Sequence, residues 1–187
     1  MLKIAIILGS TRPNRVGAVV ANWVRTIADQ RTDAEFELVD IAEQNLPLLD
    51  APLPPLAGQY ANQHTKDWAA KVASFDAYVI VTPEYNHSVP GALKNALDYL
   101  HVEWNNKAAG FVSYGAASGI RAVEALRLIL AELQVATVRA QVTLDSYRDF
   151  ENFYDFKPTE QHVAGLNTVF DQVISWGTAL KGVREQG

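Results

Sequence analysis

The chain of 187 residues contains no cysteine. A disulfide framework, a thiolate nucleophile and a cysteine metal site are therefore excluded, and tyrosine-phosphatase chemistry is excluded with them. Long hydrophobic runs are also missing. The apolar stretch from Ile4 to Leu8 is too short for a secretory signal, and no run approaches the roughly 18 apolar residues of a membrane span. We therefore expect a cytoplasmic protein that does not bind membranes.

Positive charge is scarce, because 16 basic residues stand against 21 acidic ones. The net charge of −5 argues against nucleic acid as a partner. The distribution is uneven, since residues 1–28 carry +4 and no acid, whereas the remainder carries −9. A positive segment in an acidic protein favours an anionic ligand nearby. Chance remains an alternative, because only two of the four charges lie in the first loop described below.

The hydrophobic fraction of 49% is enough for one sizeable core, and we expect a single domain over residues 1–187. Short β-prone runs alternate with segments whose apolar residues recur every three or four positions, which indicates five βα units. The predicted fold is α/β, a flavodoxin-like three-layer sandwich with a five-stranded parallel sheet of order 2-1-3-4-5 and helices on both faces. The predicted strands are Leu2–Leu8, Phe36–Ile41, Ala77–Thr82, Ala108–Ser113 and Ala136–Val142.

The loop after the first predicted strand reads Gly-Ser-Thr-Arg-Pro-Asn-Arg-Val-Gly over residues 9–17. A strand, a loop of small residues and a helix start together form an anion site from free backbone N–H groups and the helix dipole. Ser10 adds a hydroxyl, and Arg12 and Arg15 add charge-assisted hydrogen bonds worth about 1.5–3 kcal/mol each. The loop matches neither a P-loop nor a dinucleotide fingerprint, so a single phosphate fits better. The alternative is a surface turn with solvated arginines.

The loop after the third predicted strand reads Pro-Glu-Tyr-Asn-His-Ser-Val-Pro-Gly over residues 83–91. It lies just beyond the carboxyl end of a strand, where parallel α/β sheets bind ligands. We expect the next helix to begin near Ser88, with Pro90 in its first turn. The residues that offer a stiff backbone, a carboxylate, a ring face and an amide to a flat ligand are Pro83, Glu84, Tyr85 and Asn86.

The loop after the fourth predicted strand reads Ser-Tyr-Gly-Ala-Ala-Ser-Gly over residues 113–119. Small residues at a strand end allow a backbone to approach a ligand closely. Taken alone, this loop is equally well explained as an ordinary turn. Three such loops, after strands one, three and four, converge on one crevice of the predicted sheet, and this convergence favours a common ligand site.

These loops resemble those of the NAD(P)H-dependent FMN reductases, a family that includes quinone, azo-dye and chromate reductases. The resemblance extends from Ile4 to about Ala140 and is strongest where the chain matches the family's "PEYN…PG.LKNA.D" stretch. One position departs from the family pattern, because Gly119-Ile120 stands where paired glycines are frequent. The matching residues are Ser10, Arg12, Arg15, Val16 and Gly17 in the phosphate loop, Pro83, Glu84, Tyr85 and Asn86 along the isoalloxazine ring, and Ser113, Tyr114 and Gly115 at its far edge.

The resemblance implies noncovalent FMN, NADPH or NADH as reductant, and ping-pong reduction of a quinone, flavin, azo compound or oxyanion. The flavin performs the hydride transfer, so we expect no catalytic side chain and no metal. Tyr85 and Asn86 are the expected contacts to the reactive edge. Two alternatives remain open: a flavodoxin-like electron carrier without a substrate of its own, and a non-flavin protein that binds a phosphorylated ligand. Such carriers typically hold phosphate with hydroxyls and amides, which disfavours the first.

The segment 145–156 holds five of the chain's 18 aromatic residues, interleaved with acids and without a helical or strand period. Long irregular segments of this kind are usually functional or interfacial. We expect it to pack against a second subunit of a homodimer, which could assemble further into a tetramer, and to help wall the flavin site. The alternative is a loop that folds back onto its own domain.

Overall fold

Five parallel strands form one sheet in the order β2-β1-β3-β4-β5 in the computed structural model, which describes residues 1–186. The predicted α/β fold and its strand order are confirmed. The strands are β1 Leu2–Leu8, β2 Ala34–Asp40, β3 Ala77–Pro83, β4 Lys107–Gly115 and β5 Val135–Asp145. The helices are α1 Gly17–Ala28, α2 Gln63–Ala73, α3 Gly91–Asp98, α4 Ile120–Glu132 and α5 Glu160–Arg184.

Hydrophobic cores cover both faces of the sheet, which explains why the central strands are apolar on both sides. Every residue of β3 is buried. On one face, the core combines sheet residues with Val24 of α1 and Phe170 of α5. On the other, it includes Trp68 of α2, Leu97 of α3 and Leu126 of α4. The helices therefore hold the carboxyl ends of the strands at one common edge.

Three strands are longer than predicted at that edge, β3 by the single residue Pro83. β4 ends at Gly115 instead of Ser113, and β5 ends at Asp145 instead of Val142. The extra residues pair with one another, since Gly115 is in register with Asp145. Ser113 is a strand residue as the predicted bounds Ala108–Ser113 had it, but Tyr114 and Gly115 are also strand residues, and the prediction that these two lie in a loop is wrong.

The start of α3 also differs from the prediction. A tight turn is closed by hydrogen bonds from Tyr85 N to Ser88 O at 2.9 Å and from Ser88 N to Tyr85 O at 3.2 Å. The two residues between them have positive φ, as in type I′ turns. The helix begins only at Gly91, and Pro90 is its N-cap with an extended ψ of 139°. Ser88 is thus a turn residue and not a helical one.

The segment 145–156 contains a short antiparallel hairpin, β6 Phe150–Glu151 and β7 Asp155–Phe156. The ring centroids of Phe150 and Phe156 lie 5.1 Å apart, and Phe156 meets Trp23 of α1 edge-on at 5.2 Å. The expectation of an irregular segment is therefore wrong. The base of the hairpin packs on its own domain, whereas its turn projects toward solvent.

Helix α5 begins with a capping box. Nδ1 of His162 accepts a hydrogen bond from Thr159 N at 3.1 Å, which gives this histidine a structural role. Within residues 1–186, no helix is both long enough and apolar enough to cross a membrane.

Candidate functional site

A cavity of about 320 Å³ lies at the carboxyl ends of β1, β3, β4 and β5. Its volume falls within the range typical of small-molecule sites. Three of its walls are the loops expected from the sequence, and the hairpin segment forms the fourth. The lining residues are Arg12, Asn14, Arg15, Val16, Pro83, Glu84, Tyr85, Tyr114, Gly115, Ala116, Ser146, Phe150, Phe153 and Tyr154.

The N-terminus of α1 lies at this cavity, and no acidic side chain of its first turn compensates the positive end of the helix dipole. The helix also has no side-chain cap; Val19 N and Val20 N donate to Val16 O, which leaves the N–H groups before them for an anion. Arg12 stands beside it, exposed to solvent. Among the described residues, Arg12 is the one basic side chain of segment 1–28 that forms no ion pair. The pairs made by the others are Lys3–Glu37, Arg15–Asp40 and Arg25–Asp29.

Arg15 is held by the protein on two sides. Its Nη1 donates to the carbonyl oxygen of Ser10 at 2.8 Å, and its Nη2 forms an ion pair with Oδ2 of Asp40. The two side chains are only 17% and 15% exposed. Arg15 lines the cavity, but its charge is compensated by Asp40. Arg12 and Arg15, which the sequence analysis gave the same role, therefore have different surroundings.

Tyr85 connects the loop after β3 to the loop after β1. Its hydroxyl lies 3.0 Å from Oγ of the buried Ser10, and the same Oγ accepts a hydrogen bond from Arg12 N at 3.4 Å. The phenol end therefore reaches the predicted phosphate loop. Asn86, by contrast, is exposed at the tip of the turn and does not line the cavity.

Gly17 makes room for Tyr114. A Cβ atom at position 17 would lie 2.4 Å from the Tyr114 hydroxyl and 2.9 Å from Cδ1 of Leu8. Burial raises the pKa of Tyr114, and the neighbouring Tyr85 raises it further, so the phenol remains protonated at physiological pH. The first turn of α1 thus packs against a neutral hydroxyl that can donate a hydrogen bond.

The carboxylate of Glu84 is not offered to the cavity. It is 5% exposed, accepts a hydrogen bond from Arg121 N at 3.1 Å and forms an ion pair with the Arg121 guanidinium. Glu84 therefore caps α4 and ties the loop after β3 to that helix. Across residues 1–186, no group of three or more histidine, aspartate and glutamate side chains is arranged to hold a metal ion.

The turn from β4 into α4 is shaped by Gly119 at φ 70°, where a Cβ would lie 2.7 Å from that of Ser113. Ser113 is buried and donates from its Oγ to Ser118 O at 2.8 Å, so it closes this turn instead of lining the cavity. Ile120, the position that departs from the family pattern, is the exposed first residue of α4. It is not among the lining residues, and it does not crowd the cavity.

The structure brings most of the sequence-predicted site residues together. Ser10 and Gly17 lie behind the lining, where they contact Tyr85 and Tyr114. Asn86 and Ser113 are outside it. The predicted residues that line the cavity are Arg12, Arg15, Val16, Pro83, Glu84, Tyr85, Tyr114 and Gly115.

Several lining residues were missed by sequence reasoning. Ser146 follows β5 directly and would be expected at a ligand site by the strand-end rule. It lies in the segment 145–156 that was expected to help wall the site, but with β5 predicted to end at Val142, three residues short, it was not named as a strand-end residue. Phe153 and Tyr154 belong to the segment recognised by its aromatic content, but their individual positions at the cavity depend on the hairpin turn.

Comparison with known proteins agrees with this architecture. The sequence model of the NADPH-dependent FMN reductases matches residues 2–149. An NAD(P)H-dependent FMN reductase of a Nectria species is 40% identical over 149 residues, covering 74% of both chains. An NADPH azoreductase of a Bacillus species is 31% identical over 190 residues, covering 99% of this chain and 98% of its own.

Among solved structures, the flavoenzyme NAD(P)H:(acceptor) oxidoreductase FerB of Paracoccus denitrificans has the same fold. Its TM-score is 0.74 at 19% identity, and the match covers 96% of this chain and 98% of FerB. The resemblance carried by the three loops is therefore confirmed, and the chain belongs to the NADPH-dependent FMN reductase family.

Proposed function

We propose that the cavity at the ends of β1, β3 and β4 is the FMN site of this oxidoreductase, with the phosphate at loop 9–17. The observation that carries the proposal is the unpaired guanidinium of Arg12 beside the uncapped N-terminus of α1. A helix N-terminus and a free arginine together favour a dianionic monoester.

The surrounding groups fit such a ligand. Tyr85 and Tyr114 line the cavity and provide hydroxyls that can donate hydrogen bonds to phosphate oxygens, and the buried Ser10 Oγ behind them holds Tyr85 and Arg12 N. Glu84 lies in the loop after β3, and Asp40 lies at the end of β2. Each of these two carboxylates is paired with an arginine. The charge that an incoming phosphate meets is therefore positive.

When bound, FMN supplies the hydride chemistry that couples NAD(P)H oxidation to acceptor reduction. The protein's part is to bind, to orient and to exclude water. Pro83 and Gly115 would contact the ring from two neighbouring strand ends, and the aromatic residues of the hairpin would shield one side. No titratable side chain at this edge is needed as a general acid or base, so we assign none.

We propose that reductant and acceptor use the same open side of the cavity in turn, which corresponds to a ping-pong reaction. The acceptor is a small molecule: the names of relatives point to the flavin, azo and quinone classes, and an oxyanion is the further class that the family resemblance implies. We further propose that the 187 residues work as one domain in a homodimer. Its compartment would be the cytoplasm, where NAD(P)H is produced.

The test is to titrate the apoprotein with FMN and with riboflavin, and then to mix the loaded protein anaerobically with NADH and with NADPH. We expect the oxidised flavin spectrum on binding, tighter binding of FMN than of riboflavin, and bleaching by at least one nicotinamide. A protein that refuses FMN would be a non-flavin binder. One that binds FMN but leaves NAD(P)H unconsumed would be an electron carrier.

A further inference from the structure

Asp40, the last residue of β2, uses both carboxylate oxygens to hold neighbouring chain segments. Oδ1 accepts a hydrogen bond from Ala42 N at 2.9 Å, and Oδ2 forms the ion pair with Arg15. Arg15 in turn donates to the Ser10 carbonyl at 2.8 Å. A chain of contacts therefore runs from the end of β2 to the start of loop 9–17.

The geometry makes this chain of contacts a firm support. Asp40 is in register with Leu8, the last residue of β1, so it lies beside the point where the loop begins. Both members of the ion pair are largely shielded from water, with exposures of 15% and 17%. A shielded pair with additional hydrogen bonds is stronger and less mobile than a surface pair. Loop 9–17 is thus fixed from a neighbouring strand.

We propose that Asp40 is a positioning residue for FMN binding. It holds Arg15 against the Ser10 carbonyl and so keeps the loop in the shape that presents Arg12 and the α1 N-terminus to the phosphate. The inference rests on the proposed phosphate site, although Asp40 itself is not among the residues that line the cavity. Preorganised supports of this kind determine how well the contacting groups bind.

The proposal predicts that removing the Asp40 carboxylate changes the FMN affinity in the direction opposite to the one that electrostatic repulsion alone would give. A carboxylate near a dianion repels it, so its removal alone should tighten FMN binding. If Asp40 supports the loop, its removal instead weakens FMN binding, because Arg15 loses its anchor and can release the Ser10 carbonyl. The sign of the change therefore distinguishes the two roles.

The experiment measures dissociation constants of FMN and riboflavin for apoproteins by the quenching of flavin fluorescence. For Asp40→Ala and for Arg15→Ala we expect about tenfold weaker FMN binding, with riboflavin changed by less than about twofold. The double variant should bind FMN no more than about twofold worse than either single variant, because the pair acts as one unit. Asp40→Asn, which keeps the size and an acceptor for Ala42 N, replaces Asp40→Ala if the latter does not fold.

Asp29→Ala is the matched control. It removes the same charge and also breaks an arginine pair, but at the other end of α1, about 18 Å away at 1.5 Å per residue. Its FMN affinity should stay within about twofold of the wild type.

Tighter or unchanged FMN binding in Asp40→Ala overturns the proposal. An equal loss of FMN and riboflavin affinity also overturns it, because Asp40 would then support only the general fold. A double variant whose loss of FMN affinity is the product of the two single losses overturns it as well, because Asp40 and Arg15 would then act independently. A wild-type apoprotein that binds both flavins equally would instead contradict the phosphate site itself.

Discussion

The hydroxyl of Tyr85 lies 3.0 Å from Oγ of Ser10, and this contact joins two loops that are 75 residues apart in the chain. One loop was expected to hold the phosphate and the other to run along the ring. Because the phenol reaches the first loop, we now expect Tyr85 to act at the phosphate end. The earlier expectation placed it at the reactive edge of the flavin.

Tyr85→Phe removes that hydroxyl and keeps the ring. We expect FMN binding to weaken by about 0.5–1.5 kcal/mol, the worth of one hydrogen bond, and riboflavin binding to change less. The rate of flavin reduction by NADPH at saturating FMN should stay within about twofold, since the hydroxyl is not at the reacting atoms. Tyr60→Phe, which removes a hydroxyl bonded to Glu103 elsewhere in the domain, is the control. If Tyr85→Phe binds FMN with normal affinity but is reduced slowly, Tyr85 acts at the reactive edge of the flavin, as first expected.

Arg12→Ala removes the cation at the cavity that forms no ion pair within residues 1–186. FMN binding should weaken by about 1.5–3 kcal/mol, roughly ten- to a hundredfold, because a charge-assisted hydrogen bond to the phosphate is lost. Riboflavin should be affected much less. Arg25→Ala removes the same charge from the far end of α1, where Arg25 is paired with Asp29, and should leave both affinities unchanged. Equal losses for FMN and riboflavin would show that Arg12 acts on something other than the phosphate.

The sequence predicted the strands best where burial is complete. β1 spans Leu2–Leu8 as predicted, because a strand buried on both faces appears as an unbroken apolar run. β5 is an edge strand with mixed burial, and its last three residues alternate polar and apolar around the buried Leu144 without an apolar run, so its end was placed too early. Because of this three-residue error, Ser146 was predicted at the site only as part of segment 145–156 and not as a strand-end residue.

The loops after β1 and β3 were recognised from the sequence, whereas the loop after β4 was predicted to begin two residues too early, and the partners of the charged residues were not predicted at all. Glu84 pairs with Arg121, 37 residues away, and Arg15 pairs with Asp40 on a neighbouring strand. Such pairs depend on tertiary geometry and leave no spacing in the sequence. The turn at Asn86 is different, since asparagine tolerates its φ of 48°, and Asn86 followed by a polar residue could have been read as a turn signal.

Gly17→Ala tests the packing between the phosphate loop and β4. The new methyl group would lie 2.4 Å from the Tyr114 hydroxyl, so we expect the free energy of unfolding to fall by about 1–3 kcal/mol. Adding Tyr114→Phe removes the nearest atom and should restore part of the loss. The contact with Leu8, which lies 2.9 Å from the methyl position, should account for the part of the stability loss that is not restored. Urea denaturation of the wild type, of Gly17→Ala and of the double variant measures the loss and its recovery. No recovery in the double variant would mean that Leu8 alone opposes a side chain at position 17.

Lys107 is the first residue of β4 and lies at the end of the strands opposite to the cavity. Its surroundings predict how the free energy of unfolding depends on pH. Its Nζ donates to Val72 O at 3.0 Å and to the Tyr78 hydroxyl at 3.1 Å. Burial, assisted by the charge of Arg184, lowers the pKa of Lys107 to about 8. Between about pH 8 and its ordinary pKa of about 10.4, the unfolded chain therefore binds more protons at this residue than the folded one, and stability rises with pH.

The measurement compares the free energy of unfolding of the wild type and of Lys107→Met from pH 7 to pH 10. The difference should shift in favour of the wild type above about pH 8, by at most about 1.4 kcal/mol per pH unit. Comparing with the variant cancels the alkaline titration of the tyrosines. A difference that does not change with pH would mean that the acceptors around Nζ keep Lys107 charged with an ordinary pKa.

The exposed end of the hairpin leads to the prediction of a homodimer. Tyr147, Phe153 and Tyr154 are 71%, 57% and 59% exposed, and the rings of Tyr147 and Phe153 meet edge-on at 5.5 Å. Clustered exposed aromatics are typical of a contact surface. Phe153 and Tyr154 also line the cavity, so a partner seated on them would cover one side of the proposed FMN site.

Sedimentation at micromolar concentration should therefore give a dimer for the wild type and a monomer for the double variant Phe153→Ser/Tyr154→Ser. Phe150→Ala is not suitable for this purpose, because Phe150 is buried at the hairpin base and its loss should cost stability by about 3–5 kcal/mol. Trp176→Ala, which removes an exposed aromatic residue of α5, is the control and should stay dimeric. A monomeric wild type would contradict the dimer, and an unchanged double variant would place the interface elsewhere. If Trp176→Ala dissociates instead, the interface lies along α5 and the hairpin shields the cavity alone.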